Sequence, residues 1–333
     1  MIVDSLMDYV DRCMLIGVRP EINGLYISID RGKVIVDGIS EEFTNFVAQD
    51  MQDGVYTFPD IVDAIDCQKK EYRHNFIDAM LNNKIHTLDL YNIRDVNMHI
   101  LPGEELVRLY SKLIANNLTE LWNIEGASFV EELVIDNIVK LDNLSFFYPN
   151  VKRIYSKNME YTISSSYLSN HVEEISFEKL HSIYNICLGV PWLNSARDIK
   201  RAYLPSLTVG KLDFYDKRRL EYVNLNSLKS CGGFYFSGCT KLSEVHLDSV
   251  EYIGECVFKD CVSLKEISLP NLVTLSNGGE FLRCENLEKV YMPKLQNLDM
   301  TAFSGCKKLK QIVVPKECTI KYGLKYRHVI DKI

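Results

Sequence analysis

Four cysteines, Cys239, Cys261, Cys284 and Cys306, recur at steps of 22, 23 and 22 residues, each three positions after a phenylalanine. A row of cysteines could do three kinds of chemistry: close disulfides, hold a soft metal, or present a reactive thiolate. None of the ten cysteines forms a C-x-x-C pair, and no histidine stands at ligand spacing from a cysteine pair. The strong zinc signatures are therefore missing. The other cysteines, Cys13, Cys67, Cys187, Cys231, Cys256 and Cys318, make no constellation. Asp60, Asp63 and Asp66 form a carboxylate run, but at i, i+3 and i+6 it reads as the solvated side of a helix. Seven scattered histidines include no H-E-x-x-H, and no serine sits in G-x-S-x-G. Nucleotide loops of the P-loop or G-x-G-x-x-G kind are missing too. No catalytic residue, cofactor or metal is expected.

Composition narrows the partners. The 333 residues are 47% apolar and 25% charged, with a net charge of −7. No basic block stands out, which argues against nucleic acid as the main partner. No segment reaches the roughly 18 apolar residues of a membrane span. Asp4, Asp8 and Asp11 interrupt the N-terminus before an export signal could form. The expected location is cytoplasmic, with a secreted or cell-surface protein as the alternative if a leader was removed.

The cysteines are positioned by a repeat. From Phe236, Phe258, Phe281 and Phe303 the same columns follow: the cysteine, then Leu242, Leu264, Leu287 and Leu309, then Val245, Ile267, Val290 and Ile312, then Leu247, Leu269, Met292 and Val314. Pro270, Pro293 and Pro315 close three copies. Weaker copies run upstream through Leu220, Ile199, Val172, Val151 and Val130, and irregularly around Leu121 and Leu88. The L-x-x-[VI]-x-L core alternates, which predicts a short strand with its apolar residues inward. Proline then ends the ladder, having no N–H to donate. One such unit cannot bury its apolar face alone; stacked units close a continuous core, with the strands as one parallel sheet. The next apolar pair, such as Leu272 and Leu275, is expected to turn the chain back across the other side.

This pattern resembles the leucine-rich repeat superfamily, in its BspA-like (Treponema-type) class, most specifically over 214–315. The resemblance implies an α/β-type solenoid, a curved stack with a parallel β-sheet on the concave face. It also implies that the cysteine sits in the turn before the strand and faces the core. Stacked Cβ vectors run parallel, a poor geometry for a disulfide, so a buried thiol is favoured over a disulfide or a metal or redox site. Departures occur before the phenylalanine, where Tyr235, Val257 and Glu280 stand and only Ala302 fits.

The first part of the chain differs. "DSLMDYVDRCML", "SEEFTNFVAQDM" and the stretch from Pro59 to Asn83 read as helices, and "GLYISIDRGKVIVDGI" as a hairpin turning at Asp30-Arg31-Gly32. Residues 1–83 are expected to form a small α+β cap or domain, 84–318 the solenoid, and 319–333 a C-terminal cap or tail.

With no chemistry in view, the surface carries the functional expectation. Residues flanking the central [VI] should point out of the concave face. One column holds Arg153, Arg201, Tyr222, Glu244 and Lys289; the next holds Tyr155, Tyr203, Asn224, His246 and Tyr291. Tyrosine beside arginine is the composition of protein-contact hot spots. The sequence reads as a non-enzymatic protein-interaction module with a protein partner on this face. The alternatives are an exported adhesin or host-interaction protein of the BspA-like type, or an effector with a catalytic N-terminal domain and target-selecting repeats. A purely structural component is a further alternative.

Overall fold

The computed structural model describes residues 21–22, 25–30, 33–39, 55–57, 87–89, 112–114, 130–136, 149–164, 168–185, 193, 195–210, 212–233, 235–276, 278–321 and 328–333. The chain divides into two compact units, Met1–Ile138 and Val139–Ile333.

In the first unit, Leu25–Asp30 pairs antiparallel with Lys33–Ile39, and Asp30 lies opposite Lys33. The antiparallel pair agrees with the two strands read from the sequence, while Arg31 and Gly32 of the expected turn lie outside the described residues. Four further strands, Val55–Thr57, Thr87–Asp89, Lys112–Ile114 and Glu132–Val134, pair in parallel. Tyr56, Leu88, Leu113 and Leu133 share one register. Parallel coil strands thus begin at Val55, upstream of the first copy read from sequence. One of them centres on Leu113, whereas the copy expected around Leu121 lies outside the described residues. The three helices expected between residues 4 and 83 lie outside them as well.

In the second unit each coil contributes a strand to a sheet whose inward column is apolar. Arg153–Ser156, Glu174–Phe177, Arg201–Tyr203, Tyr222–Asn224 and Glu244–His246 pair in parallel. A second ladder runs through Glu266–Ser268, Lys289–Tyr291, Gln311–Val314 and Ile330–Lys332. Ile154, Ile175, Ala202, Val223, Ile267, Val290 and Ile312 are all buried; Val245, at the end of the first ladder, is half-buried. The C-terminal residues add two strands: Thr319–Lys321 pairs with Asn297–Asp299, and Ile330–Lys332 closes the second ladder.

The opposite side corrects the α/β expectation. The second apolar pair of each coil forms short parallel strands of its own. These fall in three groups: Tyr161–Ser164, Ser182–Asn185 and Val209–Gly210; Ser230–Cys231, Tyr252–Ile253 and Thr274–Leu275; Asn297–Asp299 and Thr319–Lys321. Among the described residues helical backbone is limited to short 3-10 turns, Met300–Phe303 and residues 328–329. Within a coil only four or five residues separate the first strand from the second, as between Glu244–His246 and Tyr252–Ile253, enough for a turn and too few for an α-helix.

Breaks in the two sets of ladders are offset. The concave ladder stops between Glu244–His246 and Glu266–Ser268, where Tyr252–Ile253 still pairs with Thr274–Leu275. The convex ladder stops after Val209–Gly210 and after Thr274–Leu275, where Arg201 still faces Tyr222 and Glu266 still faces Lys289.

Between the two faces runs a column of phenylalanines, Phe214, Phe236, Phe258, Phe281 and Phe303, all fully buried. Successive ring centroids lie 5.3, 5.3, 5.2 and 5.0 Å apart, and the planes close from 20° to 3° along the row. The ring spacing is set by the coil repeat, slightly more than the strand spacing of about 4.8 Å. Each buried ring contributes roughly 1.5–3 kcal/mol of transfer free energy. Two residues after each phenylalanine the backbone is left-handed: φ is 55° at Asp216, 80° at Gly238, 61° at Asp260, 59° at Arg283 and 81° at Gly305. That reversal brings the cysteine's N–H back onto its own phenylalanine carbonyl, as in Cys239 to Phe236 at 3.1 Å.

Candidate functional site

The cysteine column is internal. Cys239 donates its thiol proton to the Phe214 carbonyl at 3.0 Å, Cys261 to Phe236 at 3.2 Å, Cys284 to Phe258 at 2.9 Å and Cys306 to Phe281 at 3.1 Å. Each acceptor belongs to the preceding coil. The seven described cysteines are unpaired thiols. Burial pushes Cys231 and Cys239 up to about 12, and raises Cys261 and Cys284 well above the ordinary thiol value. A thiolate is the nucleophile and the metal ligand, so this environment suppresses both uses. Among the described residues no group of three His, Cys, Asp or Glu side chains could hold a metal ion, and no helix is long and apolar enough to cross a membrane.

Lys217 occupies the same column one coil earlier, three residues after Phe214, and is only 6% exposed. Burial pushes its ammonium below the usual lysine value, against the opposing pull of Asp213. The signal for it was present in the sequence, since position 217 falls on the cysteine register.

The first ladder of the second unit is where most of the sequence-derived site residues come together. Arg153, Arg201, Tyr222 and Glu244 fall in one cross-strand column, with Glu174 between the two arginines. Tyr155, Ser176, Tyr203, Asn224 and His246 fall in the next. Arg201 is exposed and lays its guanidinium 4.4 Å from the centre of the Tyr222 ring. Tyr222 in turn sits 5.6 Å from the His246 ring, at 54°. His246 Nε2 meets Glu244 Oε1 at 2.8 Å, two residues away on the same strand. A cation, a phenol, an imidazole and a carboxylate thus form a continuous row across three coils. Tyr203 stands beside it, 36% exposed.

The residues of the two columns differ in exposure. Asn224 is 9% exposed, and its side-chain oxygen accepts the Asn226 N–H at 3.2 Å, so it shapes the turn after its strand. Arg153 and Tyr155 are half-buried. Lys289 and Tyr291 are exposed, Tyr291 by 40%, but they lie in the second ladder, with the break in pairing between them and the Arg201 row.

Sequence reading passed over the column that precedes the strands. There Lys200 meets Glu173 at 2.9 Å and Lys310 meets Glu288 at 2.6 Å, each pair bridging neighbouring coils. The lysine hydrogen bond is the largest influence holding each of these carboxyls below the usual glutamate value.

Comparison with known proteins places the repeat. A family model described as the BspA type leucine rich repeat region matches residues 208–324 in six copies. No curated protein matches the sequence. Among solved structures, a leucine-rich repeat protein from Bacteroides ovatus ATCC 8483 is similar at 18% identity and a TM-score of 0.40, covering 94% of this chain and 99% of that one. A T. pallidum leucine rich repeat protein is similar at 18% identity and TM-score 0.32, over 57% of this chain and 73% of its own. An internalin from Listeria monocytogenes str. 4b F2365 is similar at 14% identity and TM-score 0.41, over 76% of this chain and 81% of its own. The matched columns, the stacked phenylalanines and the buried thiols in register all fall within residues 208–324, the part similar to the BspA type leucine rich repeat region.

Proposed function

We propose that the protein is a non-enzymatic binding module whose concave sheet, centred on Arg201, Tyr203 and Tyr222, holds a protein partner. The observation that carries this reading is the exposed Arg201 stacked on Tyr222 with Tyr203 alongside. Tyrosine and arginine present large rigid area and directed hydrogen bonds, which is why they dominate contact hot spots. The repeat family supports the reading, since solenoids use their sheet face for binding. The unpaired column thiols favour a reducing, cytoplasmic setting over an exported one.

The test is a quantitative comparison of proteins captured from the native host by the wild type and by an Arg201→Ala/Tyr203→Ala variant. The expected result is a partner retained by the wild type and lost by the variant, with melting temperatures within a few degrees of each other. Equal capture by both moves the site off this face.

A further inference from the structure

From Arg153 to Arg201 the column alternates in charge from coil to coil, and Tyr222 and Glu244 continue it as a neutral and a negative position. Arg153 is followed by Glu174, Glu174 by Arg201, Arg201 by Tyr222 and Tyr222 by Glu244, each directly opposite the next in register. Adjacent strands are about 4.8 Å apart, so the sign repeats over about 9.6 Å. A partner lying along this row must present the opposite signs with the same spacing. An extended chain shows same-face residues every 6.6–6.8 Å or so and falls out of step within two coils. An α-helix shows one side chain per turn about every 5.4 Å, with residues three or four apart stacked on one face. Over four coil steps the sheet advances about 19 Å and fourteen helical residues about 21 Å, a mismatch that long charged side chains absorb. A helix about 10 Å across also matches three-residue strands about 10 Å long.

We propose that the concave face takes an amphipathic helix of its protein partner, laid along the stack. Its facing stripe carries an acid, a base, an acid, an apolar residue and a base at i, i+4, i+7, i+11 and i+14. The acids meet Arg153 and Arg201, the first base meets Glu174, the apolar residue covers Tyr222, and the last base meets Glu244. This rests on the concave-face reading above and adds the chemistry and direction of the occupant.

Two synthetic, side-chain-stapled helical peptides test it, labelled with fluorescein and titrated at low ionic strength with the full chain. One carries Glu, Lys, Glu, Leu and Lys at the five positions; the other carries Lys, Glu, Lys, Leu and Glu. The matched peptide is expected to bind at least tenfold more tightly than the inverted one. Arg153→Glu, Glu174→Arg and Arg201→Glu together keep the alternation while reversing it, and should reverse the preference. If that variant melts early, Arg201→Glu alone, at an exposed position, should narrow the preference. Equal binding of both peptides, no binding of either, or a preference that the reversal leaves unchanged overturns the proposal. Those results leave the concave-face reading to its own capture experiment, which fails only if the Arg201/Tyr203 variant keeps the partner.

Discussion

The Cys284 thiol donates to the Phe258 carbonyl at 2.9 Å, and that same carbonyl accepts the Cys261 backbone N–H at 3.1 Å. One oxygen therefore joins its own coil's turn to the turn of the following coil. Replacing Cys284 by alanine leaves the Cys261 hydrogen bond in place and removes only the link between coils, with a void the size of a sulfur. The expected cost is about 1–2 kcal/mol, read as a lower urea midpoint with an unchanged slope. A variant as stable as the wild type would show that neither the thiol's hydrogen bond nor its packing volume contributes.

The raised thiols carry a pH dependence. Cys231 and Cys239 are held at about 12 in the fold by burial, against an ordinary value of 9.0. The folded state keeps a proton that the unfolded state releases, so their contribution is complete below about pH 9. It is lost progressively as pH climbs toward 12. Lys217, pushed down by burial, acts in the opposite sense below its ordinary value of 10.5, so the informative quantity is a difference between variants. Stability of the wild type relative to Cys239→Ala should shrink between pH 8 and pH 10.5. A constant difference would place the Cys239 thiol in contact with solvent.

Phe258 stacks on both neighbours, at 5.3 Å from Phe236 and 5.2 Å from Phe281. Phe258→Ala should cost about 3–5 kcal/mol. Phe258→Leu keeps most of the volume and should cost less, by about half. Calorimetry on both variants separates ring stacking from simple filling: equal losses would mean that ring shape, not volume, is what the column requires.

Arg283 pits two effects against each other. Its φ of 59° is strained for a residue with a Cβ, by about 1–2 kcal/mol. Its guanidinium also holds Asp260 in a two-pronged pair, both distances 2.6 Å. That pair is solvent-exposed, worth at most about 1 kcal/mol, and glycine adds a backbone-entropy cost of about 0.5–1 kcal/mol. Arg283→Gly should thus be near neutral, whereas Arg283→Val loses the pair and worsens the strain. A valine variant as stable as the glycine one would remove the need for a left-handed backbone at this turn.

What the sequence made legible follows from spacing. Strand centres from Leu133 onward were readable because a coil of 21–23 residues repeats one inward apolar position, and even the longer step from Ile175 to Ala202 preserved it. The antiparallel pair Leu25–Asp30 and Lys33–Ile39 was readable from its alternation. The strand Val55–Thr57 was not, because the next strand, Thr87–Asp89, follows only after some thirty residues and no fixed period connects them. The left-handed column hid behind Arg283, which glycine and aspartate elsewhere in that column would not lead one to expect. Thiol acceptors were out of reach for another reason: each lies about 25 residues away, and only stacking brings it near. On the candidate site, the Glu244–His246 contact was accessible as an i, i+2 pair on one strand. The burial of Asn224 was not, since it depends on the turn at Asn226.

The offset breaks in the two ladders act like staggered joints in masonry. A load along the stack of the second unit meets no coil boundary at which both faces lack strand pairing. The support is uneven, though: at the boundary between His246 and Ser268 strand pairing is carried by one face, Tyr252–Ile253 with Thr274–Leu275. Phe236 and Phe258 stack across that same boundary, so the aromatic spine joins the two coils where one ladder is interrupted.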